Sequence, residues 1–330
     1  MRRLRWGLLS TARINRLIIP AVRASARSDL TTVASRTIER GEAYAAEWQI
    51  PRVAASYDAL LADPEIDVVY ISLPNSLHVE WTVRALDAGK HVLCEKPLAL
   101  TVEDVDRVEA AAARAGRTAA EAFMYRHHPL THAAETVVKS GRLGPIHGFK
   151  GAFTFPLTRE GDVRLVPALG GGSLWDVGCY PVSYTCLLAG AAPDEVFGWQ
   201  RLSASGIDLE FAGMMRFADG SVAQFDSGFT GPFRTEMEIV GRDAVLRIER
   251  PFRTDERSRM LLMIGDETVT LPFEAEAPFA GEIADMEAAA LDGRLARIPL
   301  SESRRTVQTI RALYDSAASG VPRSLRGDTH

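Results

Sequence analysis

The first 125 residues show a regular alternation of short apolar runs and amphipathic stretches. The runs are Leu4–Leu9, Leu30–Ser35, Val68–Leu73 (Val-Val-Tyr-Ile-Ser-Leu), His91–Glu95 and Ala119–Met124. Between them, spacing at helical period predicts helices over Ile14–Ser25 (with Pro20 inside), Ile38–Trp48, Tyr57–Ala62, His78–Ala88 and Val102–Ala115. Gly89 stops one of these helices, while Thr101 and Gly116 bracket another. Short strands that are apolar on both faces and alternate with helices imply right-handed βαβ units and a doubly wound parallel sheet.

After about residue 125 the rhythm changes. Helices are expected near Leu130–Lys139 and from Gly172 onward, with about five strand-like runs from Glu195 to Phe273. Turn signals such as Ala218-Asp219-Gly220 and Gly241-Arg242-Asp243 separate those runs, which predicts a mostly antiparallel sheet. Two amphipathic helices, about 279–292 and 302–318, finish the chain. The reading is α/β: a Rossmann-type dinucleotide-binding domain over 1–124, then an α+β substrate and oligomerisation domain over 125–330. A cleft between two such domains is the usual place for a substrate.

Composition narrows the classes. The 330 residues are 46% hydrophobic and 25% charged, with a formal net charge of −5, which speaks against nucleic acid as partner. Cys94, Cys179 and Cys186 are irregularly spaced and form neither a disulfide framework nor a metal-ligand pattern, so no metal is expected. Polar Ser10, Thr11, Arg13 and Asn15 interrupt the N-terminal apolar run before it reaches signal-peptide or membrane-span length. The expectation is a cytoplasmic protein without a membrane partner.

The candidate cofactor loop lies between the first strand and first helix. Ser10-Thr11-Ala12-Arg13-Ile14-Asn15 stands where G-x-G-x-x-G is usual, with Ser10, Ala12 and Asn15 at the glycine positions. Small residues still admit backbone N–H groups to a pyrophosphate, and the hydroxyls of Ser10 and Thr11 would add donors. The second strand ends in Ser35-Arg36, with Arg40 nearby. Dinucleotide sites that hold the bare 2′-hydroxyl place an acid here, so arginine favours NADP(H) over NAD(H). A solvated arginine on a βα loop is the alternative.

The fourth strand delivers Glu95-Lys96-Pro97 at its carboxyl end, where open α/β sheets bind ligands. With it stand Ser72-Leu73-Pro74-Asn75-Ser76-Leu77-His78, the run Glu121-Ala122-Phe123-Met124-Tyr125-Arg126-His127-His128-Pro129, and the block from Gly170-Gly171-Gly172 to Asp176-Val177-Gly178-Cys179-Tyr180-Pro181. In that order, nearly end to end, these blocks resemble the glucose–fructose oxidoreductase / inositol dehydrogenase / rhizopine catabolism (Gfo/Idh/MocA) family. The likeness is to its branch of NADP-dependent xylose and dihydrodiol dehydrogenases and deoxysugar ketoreductases.

The resemblance implies that Lys96 is the catalytic lysine and that Asp176 and Tyr180 form the family's D-x-x-x-Y pair. It implies that Leu73, Pro74, Asn75, His78 and Glu95 line the cofactor, with Asn75 and His78 under the nicotinamide ribose. A phenol of pKa about 10 serves as acid/base near neutrality when a cation such as Lys96 favours the phenolate. Asp176 would orient the substrate or Lys96, or instead cap the helix that Ser173 opens; Tyr180 has a buried aromatic as its alternative. Arg126 and the loop Gly161-Asp162-Val163-Arg164 are candidates for sugar hydroxyls, against a plain surface loop. His78 is equally readable as an ordinary helix-start residue.

The expected activity is hydride transfer between nicotinamide and a hydroxyl-bearing carbon of a sugar or cyclic polyol. An aldose 1-dehydrogenase of the xylose type comes first and a ketosugar reductase second. A non-catalytic dinucleotide-binding sensor or scaffold is the rival of another class. By resemblance, the open face of the second sheet is expected to join copies into a homodimer or homotetramer, since the runs Ala212–Phe217 and Val222–Phe229 carry many apolar residues.

Overall fold

A computed structural model describes residues 2–326 and divides them into two compact units. The first comprises residues up to His127 together with Phe279–Arg304, and the second His128–Pro278 together with the chain from Arg305 onward.

In the first unit β1 (Leu4–Leu9), β2 (Ser28–Ala34), β3 (Arg52–Ala54), β4 (Val68–Ile71), β5 (His91–Glu95) and β6 (Ala119–Ala122) form one sheet. Its order is β3-β2-β1-β4-β5-β6 and every neighbouring pair is parallel. The order reverses between β1 and β4, which makes their carboxyl ends the ligand-binding crevice of this architecture. Trp6, Leu8, Tyr70 and Leu93 are buried, as a sheet covered on both faces requires.

The helices α1 (Asn15–Ala24), α2 (Ile38–Trp48), α3 (Tyr57–Ala62), α4 (His78–Asp87) and α5 (Val102–Ala115) fall where the periodicity places them. Thr101 Oγ1 accepts from the Asp104 N–H at 3.2 Å, and Gly116 closes α5 in the left-handed region. Two strands end earlier than their apolar runs suggest. The chain turns after Ile71 and Ala122, so Leu73 and Met124 lie in the following loop and 3₁₀ turn. The three-residue β3 escapes the sequence reading because it is too short and polar to show a period.

The sequence reads the domains as consecutive, whereas α8 (Ala280–Asp292) packs on the first unit. Phe279, Ile283 and Met286 join Trp6, Leu8, Ile18 and Tyr70 in one core. Glu287 Oε1 accepts hydrogen bonds from the hydroxyls of Ser25 and Ser28, each at 2.5 Å.

The second unit is built on a nine-stranded sheet. Its strands are β7 (Ile146–Thr154), β8 (Glu195–Leu202), β9 (Asp208–Arg216), β10 (Val222–Gly228), β11 (Arg234–Gly241), β12 (Val245–Glu249), β13 (Arg259–Ile264), β14 (Glu267–Leu271) and β15 (Arg323–Ser324). They run in the order β14-β13-β12-β11-β7-β10-β9-β8-β15. All pairs are antiparallel except β7 with β10.

The inner face packs on α7 (Cys179–Ala189) and on the later turns of α9 (Leu300–Ser319). Strict alternation puts Phe211, Met215, Phe217, Ala223 and Phe225 under these helices. The apolar content of the two runs therefore serves the core. The outer face is largely polar: Lys150 pairs with Glu238 and Arg247 with Glu236 around exposed Trp199 and Met214.

Candidate functional site

In the first unit, the β1–α1 loop makes its turn without a glycine. Ser10 sits at φ 128°, a conformation that favours glycine and costs an L residue about 1–3 kcal/mol. A polar network holds it there. Ser10 Oγ lies 2.8 Å from Ser72 Oγ and 3.0 Å from the Ser72 carbonyl, while the Ala12 N–H donates back to Ser10 Oγ at 3.1 Å. Asn15 Nδ2 donates to the Ser10 carbonyl at 2.8 Å and Ser72 Oγ to Asn15 Oδ1 at 2.7 Å. Side chains thus replace glycines at the first and third positions of the usual fingerprint. The Ser10 hydroxyl, expected as a ligand donor, is spent on this network.

The first turn of α1 has no side-chain cap and no acidic residue, and its Asn15, Arg16 and Leu17 N–H groups close onto the Ala12, Arg13 and Ile14 carbonyls, so it is the positive end of the dipole that fits a pyrophosphate. Of the expected cofactor residues, Arg40 reaches this loop. Arg40 Nε donates to Thr11 Oγ1 at 2.8 Å, Arg13 and Arg36 are exposed, and Ser35 is buried at the end of the strand path. No carboxylate occupies the Ser35-Arg36 position, which fits a 2′-phosphate.

His78 is buried, and its two ring nitrogens each lie 2.7 Å from a backbone carbonyl, Nδ1 from Pro97 and Nε2 from Leu73. A neutral ring donates to one of these carbonyls and an imidazolium to both. Burial pushes the His78 pKa down against the pull of the carbonyls, and nearby Lys96 pushes it down further. The ring ties the loop after β4 to the loop after β5. It thereby ties together the backbone that carries Pro74, Asn75 and Lys96. The Lys96–Pro97 peptide is cis.

Glu95 accepts a hydrogen bond from the Tyr70 hydroxyl through Oε1. Near them Glu282 of α8 is buried and, among the described residues, neither of its carboxyl oxygens has a hydrogen-bond partner. Burial holds its pKa well above the usual carboxylate range, and Glu95 and Asp285 raise it further. Arg126, expected at the substrate, is only 3% exposed and pairs with Glu302 at 2.7 Å, while Arg297 Nε donates to its carbonyl. Its guanidinium serves the core of the first unit.

In the second unit a π-helical turn, Leu174–Gly178, leads into α7 and carries Asp176; Tyr180 follows in the first turn of α7. The cap of this turn is neither Ser173 nor Asp176 but Asp208, more than thirty residues away. One Asp208 oxygen accepts from Ser173 Oγ and from the Leu174 N–H, the other from the Tyr314 hydroxyl, each at 2.8 Å. Asp176 instead accepts from Arg164 Nε at 2.6 Å, and Arg164 Nη1 donates to Asp162 at 3.2 Å. Three of the expected substrate residues therefore gather as one ionic chain. The two carboxylates hold the Arg164 guanidinium firmly protonated, Asp176 most strongly.

The glycine run has separate reasons at two positions. A Cβ on Gly171 would lie 2.4 Å from the Arg164 carbonyl oxygen, and one on Gly172, at φ 127°, would lie 2.2 Å from Asp208. Tyr180 is 8% exposed and packs against Phe153 and Phe252, with ring centroids 5.2 and 5.4 Å away. Cys94 and Cys179 are buried, and burial pushes the Cys94 thiol pKa up, so it packs as a small hydrophobe.

Comparison with known proteins follows the same division. The model of an oxidoreductase family with an NAD-binding Rossmann fold matches residues 4–123, and that of the GFO/IDH/MocA C-terminal domain matches residues 131–247. The chain is 37% identical over 321 residues to D-xylose 1-dehydrogenase (NADP(+)) 2 of Haloferax volcanii, covering 96% of this chain and 98% of that protein. Among solved structures it resembles a 3-ketoreductase of Actinomadura kijaniata in complex with NADP and TDP-benzene, with TM-score 0.91 and 29% identity, over 96% of this chain and 98% of the other. An aldose–aldose oxidoreductase of Caulobacter crescentus complexed with glycerol also superposes with TM-score 0.91, at 26% identity over 98% and 100% of the two chains.

Proposed function

The chain belongs to the GFO/IDH/MocA oxidoreductase family, and from that premise we propose that it is an NADP(H)-dependent oxidoreductase of a sugar or cyclic polyol, an aldose 1-dehydrogenase first and a ketosugar (deoxysugar or sugar-nucleotide) reductase second. One observation carries the choice of cofactor and chemistry together. The β1–α1 loop leads into a helix start free of acidic residues, Arg40 reaches Thr11 on that loop, and the chain retains Lys96, Asp176 and Tyr180 from the family's blocks.

Bound NADP(H) supplies the hydride acceptor or donor. The first turn of α1 would hold its pyrophosphate, and Arg36 with Arg40 would hold the 2′-phosphate. In the oxidising direction Tyr180 would take the hydroxyl proton of the substrate, with the bound cofactor as the acceptor of its hydride. By the family resemblance Lys96 would donate a hydrogen bond to the reacting oxygen. Asp176 accepts a hydrogen bond from a neighbouring hydroxyl and orients the sugar. In the reducing direction Tyr180 returns the proton. The ketoreductase reading draws on the likeness to the 3-ketoreductase.

The test is NADP⁺ reduction followed at 340 nm with a panel of aldoses and inositols, D-xylose included, then NADPH oxidation with keto-sugars. Turnover with an aldose supports the first reading. Turnover with keto-sugars alone moves the assignment to the second, and none with either panel leaves a dinucleotide-binding sensor.

The same reading places the enzyme in the cytoplasm, in keeping with three buried free thiols. It also sets a second copy of the chain on the outer face of the nine-stranded sheet. A groove of about 620 Å³ on that face is lined by Trp199, Met214 and paired charges.

A further inference from the structure

The loop before the glycine run is latched twice onto the turn that carries Asp176. Its backbone latch is the Gly172 N–H, which donates to the Arg164 carbonyl at 3.0 Å over a Gly171 that has no Cβ to intervene. Its side-chain latch is Arg164 Nε on Asp176 Oδ2 at 2.6 Å. Asp162 holds the same arginine from behind. Asp162 Oδ1 accepts from the Arg164 N–H at 3.0 Å and from Nη1 at 3.2 Å. Asp162 and Asp176 are nearly buried, whereas the Arg164 side chain is 39% exposed. A half-exposed guanidinium gripped by two buried carboxylates on different elements is arranged to restrain them. A surface loop reaching for a sugar has no need of the second grip.

We propose that Arg164 and Asp162 are positioning residues that keep the Asp176 carboxylate ionised and in one orientation toward the sugar hydroxyl. The proposal deepens, and rests on, the assignment of Asp176 to the substrate. Arg164 acts through Asp176, and Asp162 through Arg164.

The strands packed against this turn are β7, β9 and β10, with α7 following it. Their other ionisable groups have other engagements. Lys150 pairs with Glu238, Glu210 with Arg201, Arg216 with Glu195 and Asp226 with Arg234, while Asp208 caps the turn and His147 is exposed. On α7 the titratable groups are Cys179, Tyr180, Tyr184 and Cys186. Arg164 places a cation on Asp176, with Nε 2.6 Å from Oδ2.

The experiment compares wild type, Arg164→Met, Arg164→Lys, Asp162→Asn, Asp176→Asn and the Arg164→Met/Asp176→Asn pair. It measures kcat and KM from pH 5 to 9 with saturating NADP⁺ and the aldose turned over fastest in the panel above. Removing the guanidinium raises the Asp176 pKa, so activity is lost at higher pH than before. For Arg164→Met we expect the acid limb to rise by about one pH unit or more, with kcat/KM down roughly 100-fold at neutrality.

Lysine should restore the acid limb but not the full rate, because a point charge lacks the planar fork. Asp162→Asn should shift in the same direction by less, about 10-fold in rate. In the Asp176→Asn background, losing Arg164 should cost less than about 3-fold more. A raised sugar KM with kcat and the acid limb unmoved would make Arg164 a direct sugar ligand and overturn the proposal, as would wild-type behaviour of Arg164→Met. Full activity of Asp176→Asn would instead sink the assignment on which the proposal rests, and absence of wild-type turnover would sink both.

Discussion

The residue that sets the Asp176 turn is Asp208, and removing it is the most informative perturbation of the second unit. Asp208→Ala deletes the acceptor for Ser173, Leu174 and Tyr314 at once. The Ser173 hydroxyl retains Ser227 Oγ at 3.3 Å, so two donors are stranded in the core, the Leu174 N–H and the Tyr314 hydroxyl. Each buried donor without a partner costs about 1–3 kcal/mol, giving roughly 2–6 kcal/mol for the alanine variant. Asp208→Asn keeps the shape and one acceptor oxygen for the Ser173–Leu174 side, and its amide donates to the Tyr314 oxygen. The cost should fall to about 1 kcal/mol.

Urea unfolding with the fluorescence of Trp175, whose ring centroid is 5.8 Å from that of Tyr314, reports on this corner directly. The kinetic counterpart is kcat/KM, which should fall in both variants because Asp176 and Tyr180 follow on the turn. An alanine variant within about 1 kcal/mol of wild type would refute the reasoning, since two stranded donors cannot be that cheap. Asparagine as destabilising as alanine would show that charge, not the shape of the cap, does the holding.

Glu282→Gln tests the buried unpartnered carboxyl. Its folded pKa is raised, so its contribution to stability is full below about pH 4.3 and is lost as pH rises through the folded value. The glutamine variant should match wild type near pH 5 and exceed it by at least about 1 kcal/mol at pH 8, and parallel melting curves from pH 5 to 8 would contradict this. His78→Ala removes the donor to one of the Leu73 and Pro97 carbonyls and opens a cavity, for about 2–4 kcal/mol. Its KM for NADP⁺ should rise about 10-fold, and an unchanged KM would show that the tie between the two loops is irrelevant to the cofactor. Arg36→Ala should raise the KM for NADPH far more than for NADH, so equal effects defeat the 2′-phosphate assignment. Trp199→Glu on the outer sheet face should yield a monomeric mass by light scattering at micromolar concentration, and an unchanged oligomer would move the interface elsewhere.

Much of the first unit was legible because local rules agree with the global fold there. Runs such as Leu4–Leu9 and Val68–Ile71 are apolar on both faces, Thr101 and Gly116 close α5 with ordinary capping chemistry, and alternation with helices leaves a parallel sheet as the economical arrangement. The blocks around Lys96 and Asp176 were equally visible as local words, and the family match bears out the resemblance read from them.

What the linear order could not express is which distant residue completes which turn. Ser10 takes a glycine's conformation because Ser72 and Asn15 reach it from the loop after β4 and the following helix. Asp208 caps a helix begun thirty-five positions earlier, α8 returns to the first unit's core, and Arg126 turns inward to Glu302. Periodicity and propensity act over a turn or a strand, so they decide elements. Hydrogen bonds and ion pairs between buried polar groups are settled only when packing brings their partners within 3 Å, so the tertiary structure alone decided how the candidate site is held.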